Sequence, residues 1–226
     1  MRQTYAIGDI HGRADLLSAL LQAIASHADR IGARRPLLVF LGDYIDRGPD
    51  SKAVLDLVID GLPGFDVVRL KGNHEDMMAA YVFGGDPRMA NCWLMNGGIE
   101  TLRSYGVTSN DEISDVVAAI PAPHRDLLRA GLALSHREGE YLFVHAGIRP
   151  GVPIDRQRAM DLMWIRGEFL DSPDDHGVIV VHGHTPQERP VARHNRIGID
   201  TGAVWTGRLT AVALGGHSPE FIVAAA

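Results

Sequence analysis

Asp43, Asp46 and Arg47 fall within five positions, directly after the apolar run Leu38-Val39-Phe40-Leu41 and Gly42. The run reads as a buried strand that stops at the glycine. Open α/β sheets place their ligands at such strand ends. The same grammar recurs at Asp9/His11, Asn73/His74, His145 and His182/His184, each after an apolar run. Strands laid side by side would bring these side chains to one edge. Oxygen and imidazole donors without thiolate favour a hard or borderline divalent ion such as Mn²⁺, Fe²⁺ or Zn²⁺. Six or more donors exceed a tetrahedral ion and suit two ions about 3.5–4 Å apart with a bridging carboxylate.

Taken singly, each residue has a plainer reading. Asp9 and Asp43 suit turns or helix caps, since Asp favours both. His145 alone could be a satisfied core histidine. The pairing of Asp9 with His11, and of Asp43 with Asp46-Arg47, turns the balance towards a site.

The elements that must position them alternate. Thr4–Ile7 reads as a first strand. Leu16, Leu17, Leu20, Leu21 and Ile24 recur at helical spacing over 14–28. Leu37–Leu41 is a second strand, and Pro49-Asp50-Ser51 starts a helix with Val54, Leu55, Leu57, Val58 and Leu62 on its core face. Val67–Leu70 is a third strand, and this alternation implies parallel pairing with right-handed crossovers. Residues 76–135 break the rhythm with helical patterns over 75–81, 91–105, 111–120 and 123–132, an insertion beside the sheet. Strands resume at Tyr141–Val144 and Val178–Val181, with a helical stretch over 156–165 between them. Arg196–Ile199, Leu209–Leu214 and Glu220–Ala224 read as a closing, mostly antiparallel set.

Composition sets the outer bounds. The chain has 226 residues, 46% hydrophobic and 22% charged, as expected of one globular domain spanning 1–226. Its formal net charge of -6 carries no basic footprint for nucleic acid. Cys92 is the only cysteine, so no intrachain disulfide forms, and its apolar neighbours suit a buried inert thiol. No apolar run reaches the length of a membrane span, and no signal peptide is evident, so a cytoplasmic protein is expected. His27, His124, His136, His176, His194 and His217 lie in polar surroundings and read as solvated. Met77-Met78 and the Met160/Met163/Trp164 set read as core.

Gly8-Asp9-Ile10-His11-Gly12, Gly42-Asp43-Tyr44-Ile45-Asp46-Arg47-Gly48 and Gly72-Asn73-His74-Glu75 together resemble the three signature blocks of the phosphoprotein phosphatase family of calcineurin-like metallophosphoesterases. His145-Ala146-Gly147 and Gly183-His184-Thr185-Pro186 resemble its downstream ligand positions. Asn91–Gly98, Trp164-Ile165-Arg166 and Ile199-Asp200-Thr201-Gly202-Ala203 resemble further stretches of the bacterial and lambda-phage-type serine/threonine phosphatases. Broader metallophosphoesterases often carry a histidine where Pro186 stands, which suits the phosphatase branch.

The resemblance implies an α/β fold, a β-sandwich of mixed sheets flanked by helices, with a helical insertion. It implies two divalent ions, most simply Mn²⁺, with Fe²⁺ or Zn²⁺ as alternatives. Asp9 and His11 would bind the first, Asp43 would bridge, and Asn73, His145 and His184 would bind the second. His74 would be the general acid, oriented by Asp46, while Arg47, Arg166 and Asn73 would hold phosphoryl oxygens. His182 and Asp200 would be structural or would support ligands from behind.

The implied activity is hydrolysis of phosphoserine and phosphothreonine in proteins by direct attack of a dimetal-bound hydroxide. Its partners would be phosphorylated proteins or peptides, with neither nucleic acid nor membrane. The alternatives are a symmetrical diadenosine tetraphosphate hydrolase and an inactive phosphoprotein-binding module. Relatives of the dinucleotide type tend to lack Asp before the arginine of the second block and to end the third in Asp. Asp46 and Glu75 stand here instead.

Overall fold

A computed structural model describes residues 2–226 as four layers, helices on sheet on sheet on helices. The first sheet is built from β1 (Thr4–Ile7), β2 (Leu37–Phe40), β3 (Asp66–Arg69) and two late strands, β9 (Arg208–Leu214) and β10 (Glu220–Ala225), in the order β10-β9-β1-β2-β3. β1, β2 and β3 are parallel, and β9 runs antiparallel to both β1 and β10. The second sheet has the order β4-β5-β6-β8-β7, from β4 (Ser135–Glu138), β5 (Tyr141–Val144), β6 (Ile179–His182), β7 (Val191–Ala192) and β8 (Arg196–Gly198). β5, β6 and β8 are parallel there, and β4 and β7 are antiparallel edges.

The period-two alternation of a strand separates the layers. Ala6, Leu37, Val39 and Leu41 face the second sheet and pack with Phe143, Val181, Ile197 and Ile199. Tyr5, Ile7, Leu38 and Phe40 face the other way, onto α1 (Ala14–Arg30) and α2 (Ser51–Asp60). Both faces of these strands are buried, which is why they read as unbroken apolar runs rather than alternating ones. α1 buries Leu16, Leu17, Leu20, Leu21 and Ile24, the stripe its spacing predicts. The outer face of the second sheet, Leu142, Val144 and Val180, packs on Leu162 of α8 (Ala159–Trp164), Phe169 of α9 (Gly167–Leu170) and Ile165 from the link between them.

The insertion is helical as expected. It comprises α3 (Asn73–Phe83), α4 (Pro87–Trp93), α5 (Ile99–Ser104), α6 (Ile113–Ala119) and α7 (Ala122–Asp126). The pattern over 91–105 is two helices rather than one. They meet at a kink where Asn96 and Gly97 leave helical geometry, Gly97 at φ 108°.

Several expectations are corrected. The insertion gives way at its end to an unexpected strand: Ser135–Glu138 pairs with β5 as an edge strand. The closing strands divide between sheets: Arg196–Gly198 joins the second, parallel to β6, and only Arg208–Leu214 and Glu220–Ala225 close the first. The ligand-bearing strand ends therefore belong to two sheets instead of one edge. His27 and His124 are buried, not solvated: His27 bonds the Tyr5 hydroxyl at 2.7 Å, and His124 bonds Tyr105 and Asp56. Met160 is exposed, although Met77, Met78 and Met163 are core. Cys92 is half-buried rather than fully buried. Among the described residues, no helix is long and apolar enough to cross a membrane.

Because Leu20 is fully buried between α1 and the sheet, Leu20→Ala should cost about 2–5 kcal/mol. Gln22→Ala, on the exposed face of the same helix, should stay within about 0.5 kcal/mol. Urea unfolding midpoints of the two variants test this.

Candidate metal centre

The carboxyl ends of β1, β2 and β3 in one sheet, and of β5 and β6 in the other, meet at a single place. Asp43 is its middle. The Asp43 carboxylate belongs at once to a group with His11 and His74 and to a group with His145 and His184, the donor atoms of each lying within 4.8 Å of one another. Asn73 Oδ1 lies 3.0 Å from His145 Nε2, beside the second group.

Two of the histidines are held from behind in the same manner. His11 Nδ1 donates to the Ile45 carbonyl at 2.8 Å and His145 Nδ1 to the Leu41 carbonyl at 3.0 Å. Each bond turns Nε2 towards Asp43, at 3.6 Å for His11 and 3.4 Å for His145. A backbone carbonyl on one ring nitrogen fixes the tautomer and orients the other nitrogen as a ligand. His184 is buried with no hydrogen-bond partner for Nε2. Asp9 does not join either group. Its two carboxylate oxygens accept from the His184 backbone N–H at 3.1 and 3.0 Å, which places Asp9 directly behind that residue.

The electrostatics fit a cation. Burial and the neighbouring Asp200 push the Asp9 carboxyl well above the usual range. Burial pushes Asp200 itself up to about 6. Burial also opposes ionisation of Asp43, yet the imidazoles of His145, His74 and His11 hold it well below the ordinary carboxylate value. Three acids buried this close together repel one another and need positive charge between them. The oxygen and nitrogen donors, the Nε2 atoms of His11 and His145 turned towards Asp43, and the orphaned His184 nitrogen together suit divalent metal.

A second constellation adjoins the first. His74 Nδ1 bonds Asp46 Oδ2 at 2.5 Å, and His74 Nε2 faces Asp43 at 3.9 Å. Asp46 is completely buried, and its other oxygen accepts from Trp93 Nε1 at 2.9 Å and Thr101 Oγ1 at 2.6 Å. Its backbone N–H is taken by Ser51 Oγ and Thr101 Oγ1. Burial makes His74 harder to protonate, but Asp43 and Asp46 outweigh it and raise its pKa. Arg47 Nη1 donates to His11 Nε2 at 2.5 Å. A pocket of about 170 Å³ is lined by Asp43, Arg47, Asn73, His74, Arg166 and His184, and also by Pro186, Asp200 and Trp205. Of the predicted site residues, Asp43, Arg47, Asn73, His74, Arg166 and His184 line this pocket, while Asp9, His11, Asp46 and His145 bond to His184, Arg47, His74 and Asn73 respectively; His182, expected to be structural or supporting, stands apart. That side chain turns away, to Arg196 Nη1 and the Gly183 carbonyl.

The local backbone explains why these loops are short and glycine-rich. His11, Asp43, Asp46, Arg47 and His184 all have positive φ, between 46° and 76°. Asp and His tolerate that region better than most residues, but it remains costly. Gly72 and Gly183 allow close approach: a Cβ would sit 2.2 Å from Asp43 Oδ1 in the first case and 2.0 Å from Asp9 Oδ1 in the second.

A family model described as calcineurin-like phosphoesterase matches residues 3–221. The chain belongs to the calcineurin-like phosphoesterases. This phosphoesterase is 29% identical to the asymmetrical bis(5'-nucleosyl)-tetraphosphatase PrpE of Halalkalibacterium halodurans, over 91% of the chain and 87% of that relative. It is 30% identical to serine/threonine-protein phosphatase 1 of Salmonella typhimurium, over 92% and 90% respectively. A crystal structure provisionally described as a diadenosine tetraphosphatase shares the fold with a TM-score of 0.66 at 22% identity, covering 99% of this chain and 94% of its own.

Sequence reasoning passed over several residues that shape the phosphoesterase site. The sequence marks Glu75 only as a residue that separates the phosphatase from the dinucleotide-type block, yet its carboxylate accepts the backbone N–H groups of Asp43, Tyr44 and Gly72 at 2.8, 2.8 and 3.0 Å. Trp93 and Thr101 around Asp46 come from distant segments, and nothing in their spacing announces the contact. Trp205 at the pocket wall follows the Ile199–Ala203 stretch but was not singled out.

Glu75→Gln puts an amide NH₂ where carboxylate oxygen now accepts backbone donors, so a loss of about 2–4 kcal/mol is expected, read as a lowered melting temperature. Asp43→Asn should lower divalent metal bound at both ligand groups together, read by elemental analysis of the purified protein. Survival of a full complement would remove Asp43 from the shared position.

Proposed function

We propose that this phosphoesterase is a metal-dependent phosphomonoesterase that acts on phosphoserine and phosphothreonine in proteins. The observation that carries the reading is the buried Asp46–His74 pair beside the shared carboxylate Asp43, with Arg47 and Arg166 on the walls of the same pocket.

The roles follow from the chemistry of the ester. Asp9, His11 and Asp43 would hold one divalent ion, and Asp43, Asn73, His145 and His184 a second, with Mn²⁺, Fe²⁺ or Zn²⁺ matching the donor set. When bound, such ions supply positive charge that offsets the phosphoryl dianion and acidifies water. Arg47 and Arg166 present planar multi-donor groups to the equatorial oxygens, where charge spreads during transfer. Asn73 offers an amide to the same oxygens. Water adds to phosphorus as the bond to the serine or threonine oxygen breaks. The leaving alkoxide takes a proton from His74 Nε2, and Asp46 on Nδ1 keeps that nitrogen aimed and stabilises the charged imidazole. No covalent enzyme intermediate is needed, and Cys92 plays no part.

The kinship with PrpE supports a second reading, cleavage of diadenosine tetraphosphate. The phosphoprotein reading rests on the Asp46–Arg47 pair and on Glu75, whose reach to three backbone donors joins the second and third signature blocks. Turnover of a phosphoserine peptide and of diadenosine tetraphosphate by the Mn²⁺-loaded protein separates the two. Preference for the dinucleotide would overturn the phosphoprotein assignment, and peptide binding without turnover would favour the inactive module.

His74→Asn should slow hydrolysis of the phosphoserine peptide by about 10²–10⁴-fold, with metal content intact. p-Nitrophenyl phosphate, whose leaving group needs less proton assistance, should lose much less. Equal losses for both substrates would take the proton-donor role away from His74.

A further inference from the structure

Trp205 is out of place for a residue of its kind. It is 62% exposed, whereas Trp93 is fully buried. Large aromatic side chains usually bury most of their surface, because leaving it in water forfeits transfer free energy. Its exposure does not come from a loose segment. Trp205 stands on a single helical turn, α10 (Ala203–Thr206), closed at both ends by Gly202 and Gly207 in left-handed geometry. Thr206 Oγ1 bonds the Thr201 carbonyl at 2.8 Å, and Arg13 Nη1 bonds the Ala203 carbonyl at 3.1 Å. Ala203 is buried against the core. The ring is therefore mounted, and it is mounted on the wall of the pocket that holds Arg47, Asn73, His74 and Arg166.

One side of the ring has a neighbour. Arg47 Cζ lies 5.1 Å from the ring centroid, a cation–π contact, and the His11 ring lies 6.4 Å away. With those contacts in place most of the residue still faces solvent at the pocket mouth. A phosphoryl group gripped by Arg47 and Arg166 would carry its organic portion past that open surface.

We propose that Trp205 is a stacking platform for an aromatic ring attached to the phosphoryl group, directly or through a ribose. Among small phosphoesters, the ring-bearing ones then bind more tightly than simple alkyl ones, alongside the phosphopeptides proposed above. This extends the substrate class proposed above and rests on that phosphomonoester reading. The shared chemistry is a flat π-surface beside a phosphate. A phenol ester and a purine nucleotide are its two sources.

The test compares pairs of inhibitors of the metal-loaded enzyme that differ only in the ring: phenylphosphonate with methylphosphonate, and AMP with ribose 5-phosphate. The parent protein should bind the ring-bearing member of at least one pair about five- to tenfold more tightly, the scale of a single aromatic stack. Trp205→Leu should bring that ratio to near one, and Trp205→Phe should keep most of it. Preference confined to the phosphonates identifies the phenol source, and preference confined to the nucleotides identifies the purine source. The proposal is overturned if the parent shows no ring preference in either pair, or if Trp205→Leu retains it. It is also overturned if Trp205→Leu weakens both members of a pair alike, since Trp205 would then only brace Arg47. Failure of all four compounds to inhibit the parent would overturn the phosphomonoester reading itself, and the platform with it.

Discussion

A buried carboxylate holds the catalytic loops in register. Glu75 sits at the start of α3 and reaches back across the sheet edge to three backbone donors on two different loops. Those donors have no other partners deep in the protein, and a buried donor left unpaired costs about 1–3 kcal/mol. Burial pushes the Glu75 carboxyl up to about 7, with the negative charge of Asp43 adding to it. The protein accepts this because the same bonds fix where Asp43 points. Asp43 belongs to both groups of donors, so the position of the shared carboxylate is set by another carboxylate behind it.

That arrangement lets the backbone stay in conformations it would not choose. Among the described residues, five of the six non-glycine residues with positive φ belong to the candidate site, Arg35 being the sixth. Each stores on the order of 1–3 kcal/mol, and the surroundings supply the compensation. The Arg47 N–H donates to the Gly97 carbonyl at 3.2 Å, from the kink between α4 and α5. A Cβ on Gly97 would lie 2.6 Å from Arg47 N. The same insertion sends Trp93 and Thr101 to Asp46. The helices between the third strand and the second sheet thus work as an internal brace for the strained Asp46-Arg47 peptide.

Much of this was legible in the chain. Apolar runs marked β1, β2, β5 and β6 because strands covered on both faces need no polar residues. The helical stripe of α1 was plain for a different reason, that one face is buried and the other solvated. Asp9, His11, Asp43, Asn73, His74, His145 and His184 could be picked out because each follows such a run at its carboxyl end. What could not be read was which strands share a sheet. Arg196–Gly198 joins β6 through pairing that no local pattern specifies, and β4 is a polar edge strand with little apolar signal. The bonds around Asp46 were hidden because Trp93 and Thr101 lie 47 and 55 positions away. His27 and His124 looked solvated because polar neighbours in sequence do not report on tertiary partners such as Tyr5 and Tyr105.

The two groups of donors straddle the seam between the sheets, Asp43 and His11 on one side and His145 and His184 on the other. The seam itself is held by apolar contact, Val39 and Leu41 against Phe143 and Val181, which resists separation more than it resists sliding. The centre is accordingly a gauge of shear. A slip of one sheet past the other by a fraction of a residue would leave the layers dry and folded while pulling the donor set out of coincidence. Activity would disappear before any spectroscopic sign of unfolding.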